Sequence, residues 1–277
     1  RNELDLTSQE KVNEMMSSHK PDHVIIAAAK VGGISANNNY PADFIYQNLA
    51  IQTNLIHASY LSKVKKLLFL GSSCIYPRNA IQPMKESSLL GGYLENTNEA
   101  YAIAKIAGLK MCEYYRKQYG CNFISVMPTN LYGPMDNFNL DNAHVIPALI
   151  RKFHYAKVNN DKYVEVWGSG SPRREFMYVD DCAEACLQVF EKYTGKGHVN
   201  IGTGSDCTII ELAETIKKLL GFKGGIVFDK SKPDGAPQKL LDNSKLEKLG
   251  WKSYTTLESG IIKTYEWFLK NIDKYRK

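Results

Sequence analysis

Three short apolar runs stand out along the chain: residues 24–29 (VIIAAA), 67–70 (LLFL) and 123–127 (FISVM). None alternates apolar with polar positions. Such a run predicts a strand covered on both faces, and each one ends in small or turn-forming residues. The stretches between them carry the helical period instead. From residue 41 to about residue 63, Phe44, Ile45, Leu49, Ile51 and Leu55 share a broad apolar face, and Pro41 suits the first turn. Residues 98 to about 119 predict a second long helix, with Thr97 or Asn98 as its cap. An earlier helix starts at Ser8, and later ones are predicted over 145–156, 180–193, 208–220 and 257–271. The Gly-rich stretches WGSGSP, HVNIGTGSD and SKPDGAP separate them, and a strand near 198–201 is expected to return to the main sheet. Strand and helix in alternation predict an α/β fold with a doubly wound parallel sheet.

Composition narrows the class. The 277 residues are 44% hydrophobic and 23% charged, enough to bury a core without disulfide staples. No stretch approaches the roughly 18 apolar residues of a membrane span. The net charge of +6 is spread thinly and forms no basic arm, which argues against a nucleic-acid partner. It is compatible with a small anionic ligand. Six cysteines show no CxxC pair and no Cys/His cluster at zinc spacing, so no metal site is predicted. They read as free thiols of a cytoplasmic protein.

A dinucleotide-binding sheet normally opens with a strand, a Gly-rich turn and a helix. Here the only early glycines, Gly32 and Gly33, follow a later strand, and the chain opens Arg-Asn-Glu. The expectation is that a first βα unit lies upstream of Arg1.

Candidate chemistry gathers at strand ends. Tyr101 and Lys105 stand at i and i+4 on one helix, so they share a face. An ammonium beside a phenol favours its ionised form and suits it to exchange a proton with a carbonyl. The spacing alone fits an ordinary surface pair equally well. The run 67–70 leads into Gly71-Ser72-Ser73-Cys74, and 123–127 leads into Pro128-Thr129-Asn130-Leu131-Tyr132-Gly133. Carboxyl ends of buried strands are where ligands bind in open α/β sheets.

The order of a strand ending GSSC, then YxxxK, then a strand ending PTNLYGP is similar to the extended short-chain dehydrogenase/reductase family acting on nucleotide sugars. Longer segments spread over the whole chain carry the resemblance further: AAAKVGG, NNYPADFIYQN, LLFLGSSCIYP, NEAYAIAKIAG, VMPTNLYGP, HVIPALIRKFH, VWGSGSPRREF and SKPDGAPQKLLD. They resemble those members that epimerise GDP-4-keto-6-deoxy-D-mannose at sugar carbons 3 and 5 and then reduce its 4-keto group with NADPH, giving GDP-L-fucose.

The resemblance implies roles. Tyr101 would donate the proton to the 4-oxygen, Lys105 would hold the nicotinamide ribose and tune Tyr101, and Ser72 would bond the keto oxygen. Cys74 and His144 would exchange protons during epimerisation, and which acts at which carbon stays open. The alternatives are a core thiol for Cys74 and a helix cap for His144. The NADP(H) contacts would be Leu70, Gly71, Ser72, Ser73, Lys105, Pro128, Thr129, Asn130, Leu131 and His144, with Arg1 on the 2′-phosphate. Lys152, Trp167, Arg174, Asp234 and Lys239 would hold GDP, although Asp234 in its Pro-Asp-Gly turn also suits a plain turn former.

The implied division is a Rossmann-like cofactor domain of residues 1–132 and 175–204, lacking its first βα unit, interleaved with a smaller substrate domain of residues 133–174 and 205–277. A homodimer through the helices of Asn48 and Tyr114 is implied as well. The rivals are a 4-epimerase or 4,6-dehydratase of the same family, or a non-catalytic NADP-binding regulator. A dehydratase would carry a carboxylate pair where Ser72-Ser73-Cys74 stands, a 4-epimerase needs no Cys74/His144 pair, and a regulator generally loses the Tyr or the Lys.

Overall fold

The computed structural model describes residues 4–272. Its central sheet is parallel throughout, in the order β1 (His23–Ile26), β2 (Lys66–Leu70), β3 (Phe123–Pro128) and β7 (Val199–Ile201). Successive side chains of a strand point to opposite faces, and β2 shows why both had to be apolar. Leu67 and Phe69 pack with Val12, Leu55, Ile56 and Cys112 under helices α1 (Gln9–His19), α3 (Pro41–Leu61) and α4 (Glu99–Tyr119). Leu68 faces the other way, toward Cys182, Ala185 and Val189 of α6 (Val179–Lys192) and Leu246 of the short helix 244–248. The sheet is therefore covered on both faces at β2 and β3, as their apolar runs predict, whereas β1 departs from that expectation: Val24 and Ile26 enter the core and Ile25, facing the other way, stays 48% exposed. The run at 24–29 is strand only to Ile26, and beyond it Ala27 and Ala29 line the cleft at the carboxyl edge of the sheet.

Two features seat α4 closely on β2. Gly108 faces the strand, and a Cβ there would stand 2.5 Å from Phe69 Cζ. Gln52 of α3 donates to Ala104 O at 2.5 Å, tying the two long helices together. Tyr101 and Lys105, one to two turns earlier on α4, are thereby fixed over the end of β2.

After Pro128 the chain crosses to a second sheet. Strand β4 (Asn130–Tyr132) pairs in parallel with β6 (Arg173–Tyr178), which β10 (Gln238–Lys239) joins on its other side. A separate core packs α5 (Val145–Asn159), α7 (Ile209–Leu220) and α9 (Leu257–Lys270) around Phe138, Ile150, Phe153, Ile216 and Phe268. Strands β5 (Tyr163–Trp167) and β9 (Gly225–Asp229) form its outer parallel pair.

Candidate active site

A cleft of about 730 Å³ runs between the carboxyl edge of the central sheet and this second core. Along its wall lie Leu70, Gly71, Ser72, Ser73 and Cys74 after β2, Tyr101 and Lys105 on α4, and Pro128 to Leu131 after β3. His144, Lys152, Trp167, Arg174, Asp234 and Lys239 complete it from the other side. Every site residue expected from the sequence thus opens onto one cavity except Arg1, which lies outside the described residues.

The floor is built by a tight turn. Ser73–Ile75 forms one turn of 3-10 helix, and Ser72 Oγ accepts from Cys74 N at 3.3 Å. Beneath it Tyr76 bonds His198 and Asn200, and Asn200 in turn donates to Met84 O and Asp242 O. Desolvation in this buried knot drops the His198 imidazole to about 4, so it stays neutral and serves as scaffold.

Above the turn, Ser72 hydrogen-bonds the Tyr101 hydroxyl. Burial pushes that phenol well above its usual range, the nearby Cys74 raises it further, and the Ser72 bond opposes both. Lys105 Nζ donates to Leu70 O at 2.8 Å and lies 5.8 Å from the Tyr101 ring centre. Its pKa falls to about 8 through desolvation. Burial is thus the first influence on both the phenol and the ammonium.

His144 occupies the N-cap position of α5 but makes no side-chain cap bond, which removes capping as the reason for it. Burial lowers its imidazole and Asp136 pulls it back up. The loop that carries it is held by the Gly32-Gly33 segment: Gly33 N donates to Asn142 O at 3.1 Å, and a Cβ on Gly33 would meet Ala143 O at 2.5 Å. That close approach requires a glycine at position 33, while at Gly32 a Cβ would stand 2.9 Å from that of Ala36.

At the far end Trp167 is half exposed between two cations, Lys152 Nζ 5.2 Å and Lys232 Nζ 5.4 Å from its ring centre. Lys232 was not foreseen, since nothing in SKPDGAP distinguishes it from other surface lysines. Asp234 accepts from Ser169 N and Oγ, both at 2.7 Å, so its carboxylate pins the 168–171 turn beside Trp167 rather than merely shaping its own turn. Gly168, at φ +83°, is needed there because a Cβ would stand 2.3 Å from Asp234 Oδ1. Arg174 Nη2 donates to Asp234 O at 3.1 Å. Burial lowers its guanidinium pKa, while Cys74, Glu95 and Asp234 hold it up.

Lys239 pairs in register with Arg174, and its Nζ reaches Cys74 Sγ at 3.5 Å, which sets it beside the turn of Ser72 and Cys74. Asn98 was expected only as a cap. It stands at the N-cap of α4 without a cap bond, and its Nδ2 donates to the same sulfur at 3.1 Å.

The arrangement can protonate and polarise one carbonyl from Ser72 and Tyr101, with a thiol and an imidazole available to neighbouring C–H bonds. The family model for "NAD dependent epimerase/dehydratase family" matches residues 1–202. The chain is 57% identical over 285 residues to the GDP-L-fucose synthase of Escherichia coli, covering 100% of this chain and 89% of that protein. It is 60% identical over 270 residues to GDP-L-fucose synthase 1 of Arabidopsis thaliana, covering 98% and 84%. Among solved structures, the GDP-L-fucose synthetase of Naegleria fowleri bound to NADP superposes with a TM-score of 0.91 at 32% identity, covering 99% of this chain and 85% of that one.

Proposed function

Within the NAD dependent epimerase/dehydratase family, to which this chain belongs, we propose that it performs the GDP-L-fucose synthase reaction. GDP-4-keto-6-deoxy-D-mannose is epimerised at carbons 3 and 5 and then reduced at carbon 4, giving GDP-L-fucose. The observation that carries this reading is the meeting, in one cleft, of a Ser72–Tyr101–Lys105 carbonyl site with a thiol and an imidazole that neither a plain reductase nor a 4-epimerase requires.

The residues fit a nicotinamide dinucleotide. Lys105 is a buried ammonium bonded to Leu70 O, with no carboxylate partner among the described residues, and it suits ribose hydroxyls. NADPH supplies the hydride for carbon 4 when bound. Leu70 to Ser73 and Pro128 to Leu131 would line its path along the strand ends, with His144 closing over it and Arg1 on the 2′-phosphate.

The chain's own groups do the rest. Hydrogen bonds from Ser72 and Tyr101 to the 4-oxygen stabilise the enolate that forms when a proton leaves carbon 3 or 5. Cys74 and His144 remove and return those protons. The raised Tyr101 keeps its proton at neutral pH, so it remains a donor until reduction develops an alkoxide strong enough to take it. Lys152, Trp167, Lys232, Arg174 and Asp234 hold the GDP end, the indole for stacking and the cations for the diphosphate.

A division near residues 1–132 with 175–204 and 133–174 with 205–277 is supported by the separate core around Phe153 and Phe268, with two adjustments to those bounds: Tyr132, Phe176 and Tyr178 pack in that second core, and Leu246 and Trp251 pack on the central sheet. Exposed Tyr46, Leu61, Ile103 and Tyr114 on α3 and α4 support a homodimer through those helices. No helix among the described residues is long and apolar enough to cross a membrane, and the free thiols favour action in the cytoplasm.

The test supplies GDP-4-keto-6-deoxy-D-mannose and NADPH. Loss of reduced-nicotinamide absorbance with a product of L-fuco configuration supports the reading. A product reduced at carbon 4 but retaining the manno configuration at carbons 3 and 5 defeats it.

A further inference from the structure

We propose that Asn98 and Lys239 form a two-donor cradle that holds the Cys74 sulfur as a proton-accepting thiolate, which makes both of them positioning residues for the epimerising half of the reaction. The inference rests on the function proposed above and deepens it.

The argument begins with what Asn98 forgoes. An asparagine at an N-cap normally accepts from the backbone of the first helical turn. Asn98 makes no such bond. The preceding Glu95 does that work for its own turn, accepting from Thr97 N at 3.3 Å. Asn98 Oδ1 is buried without a hydrogen-bond partner among the described residues, and its amide N–H goes to Cys74 Sγ. A side chain that leaves its oxygen unsatisfied and its helix end uncapped is not placed for local stability, and such departures mark functional positions.

Lys239 arrives independently. Strand β10 is two residues long and is held where it is by β6. Just beyond it, Leu241 N donates to the fully buried Glu175 carboxylate at 3.0 Å, anchoring the exit of the strand. The ammonium is thereby delivered to the sulfur at 3.5 Å.

The remaining groups around Cys74 are Ser72 and Tyr101 from the turn and α4, and Arg174 from β6 with Glu95 near it. Glu95 is itself engaged by Arg78 at 3.4 Å. Two N–H donors converging on one sulfur favour the form with the greater acceptor strength, and that is the thiolate. In the step it serves, a C–H bond beside the ketone breaks and an S–H bond forms. The bonding pair moves onto the ketone oxygen, where Ser72 and Tyr101 donate. Reprotonation from His144 on the other face inverts the carbon.

The test needs neither sugar nor cofactor in its first arm. The rate of Cys74 alkylation by iodoacetamide at fixed neutral pH, resolved by peptide mass spectrometry, reports its thiolate population. Losing one donor to an anion lowers that rate by about tenfold or more, so Asn98→Ala and Lys239→Met are both expected to slow it by that factor. Asn98→Asp slows it further by repulsion, and Lys239→Arg restores it. In the second arm, solvent-deuterium uptake into GDP-4-keto-6-deoxy-D-mannose falls in the same order, while NADPH-dependent reduction of the ketone is much less affected. Alkylation unchanged in Asn98→Ala and Lys239→Met overturns the proposal. So does an equal fall of uptake and reduction accompanied by a lowered melting temperature, which is the mark of a structural role. If alkylation responds as expected but the unmodified protein incorporates no deuterium, the cradle stands and the function proposed above fails.

Discussion

Replacing Lys105 by methionine should make this protein more stable and less active at once. Lys105 is 3% exposed, and its Nζ is bonded to Leu70 O at 2.8 Å. Desolvation carries its pKa from 10.5 to about 8. At roughly 1.4 kcal/mol per pH unit, a drop of that size is a penalty of about 3 kcal/mol on the folded state at neutral pH. Methionine fills much the same volume and removes the charge. The lost bond to Leu70 O returns about 1 kcal/mol of cost. The net expectation is a gain of about 2 kcal/mol at pH 7. The sign follows from proton counting. Between pH 8 and 10.5 the unfolded chain holds the lysine proton and the folded chain does not, so the native protein gains stability as pH rises through that window. The methionine variant gains nothing from this source. Urea melts of both proteins at intervals from pH 7 to 10.5 check it, because the other titrating groups cancel in the difference. The variant should lead at pH 7 and lose its lead by about pH 10.5. NADPH-dependent turnover should fall by roughly a hundredfold or more. Parallel curves, or a variant less stable throughout, would refute the claim that a buried, unpaired ammonium is held here for function at the expense of stability.

Other expectations follow from particular contacts. Gly108→Val should cost about 2–4 kcal/mol in a urea melt, because its Cβ would stand 2.5 Å from Phe69 Cζ and force α4 off β2. Glu175→Gln should lower the melting temperature by several degrees, since an amide cannot accept from Thr203 N, Gly204 N and Leu241 N as the carboxylate does. Trp167→Ala and Lys232→Ala should raise the KM for the GDP-linked sugar about tenfold and leave kcat within about twofold, as measured by steady-state kinetics, because both act at the end remote from the ketone.

Much of this was legible in the chain. Strands β2 and β3 announced themselves because both of their faces are buried, which leaves no charged position to blur the run. Strand β5 was missed for the opposite reason. Its residues Tyr163 to Trp167 alternate exposed and buried at the rim of the second core, so it lacks the unbroken apolar run of the central strands, and its short alternation was not read as a strand. The cleft residues could be named from motifs, but their partners could not. Asn98 was one of two candidate helix caps, and only the folded structure reveals that its amide is engaged elsewhere. Lys239 and Cys74 are far apart along the chain and meet only because β10 docks on β6. The same is true of Gly33, whose purpose becomes visible once Ala143 lies against it.

The central claim is that one polarised ketone serves both the loss of neighbouring protons and the acceptance of hydride. It is tested most directly by running the reaction in D2O with NADPH and locating the label by NMR. The account predicts product carrying solvent deuterium at carbons 3 and 5 and protium at carbon 4, with Tyr101→Phe losing the reduction and slowing the exchange. Product formed without deuterium at those two carbons, or with solvent deuterium at carbon 4, would contradict it.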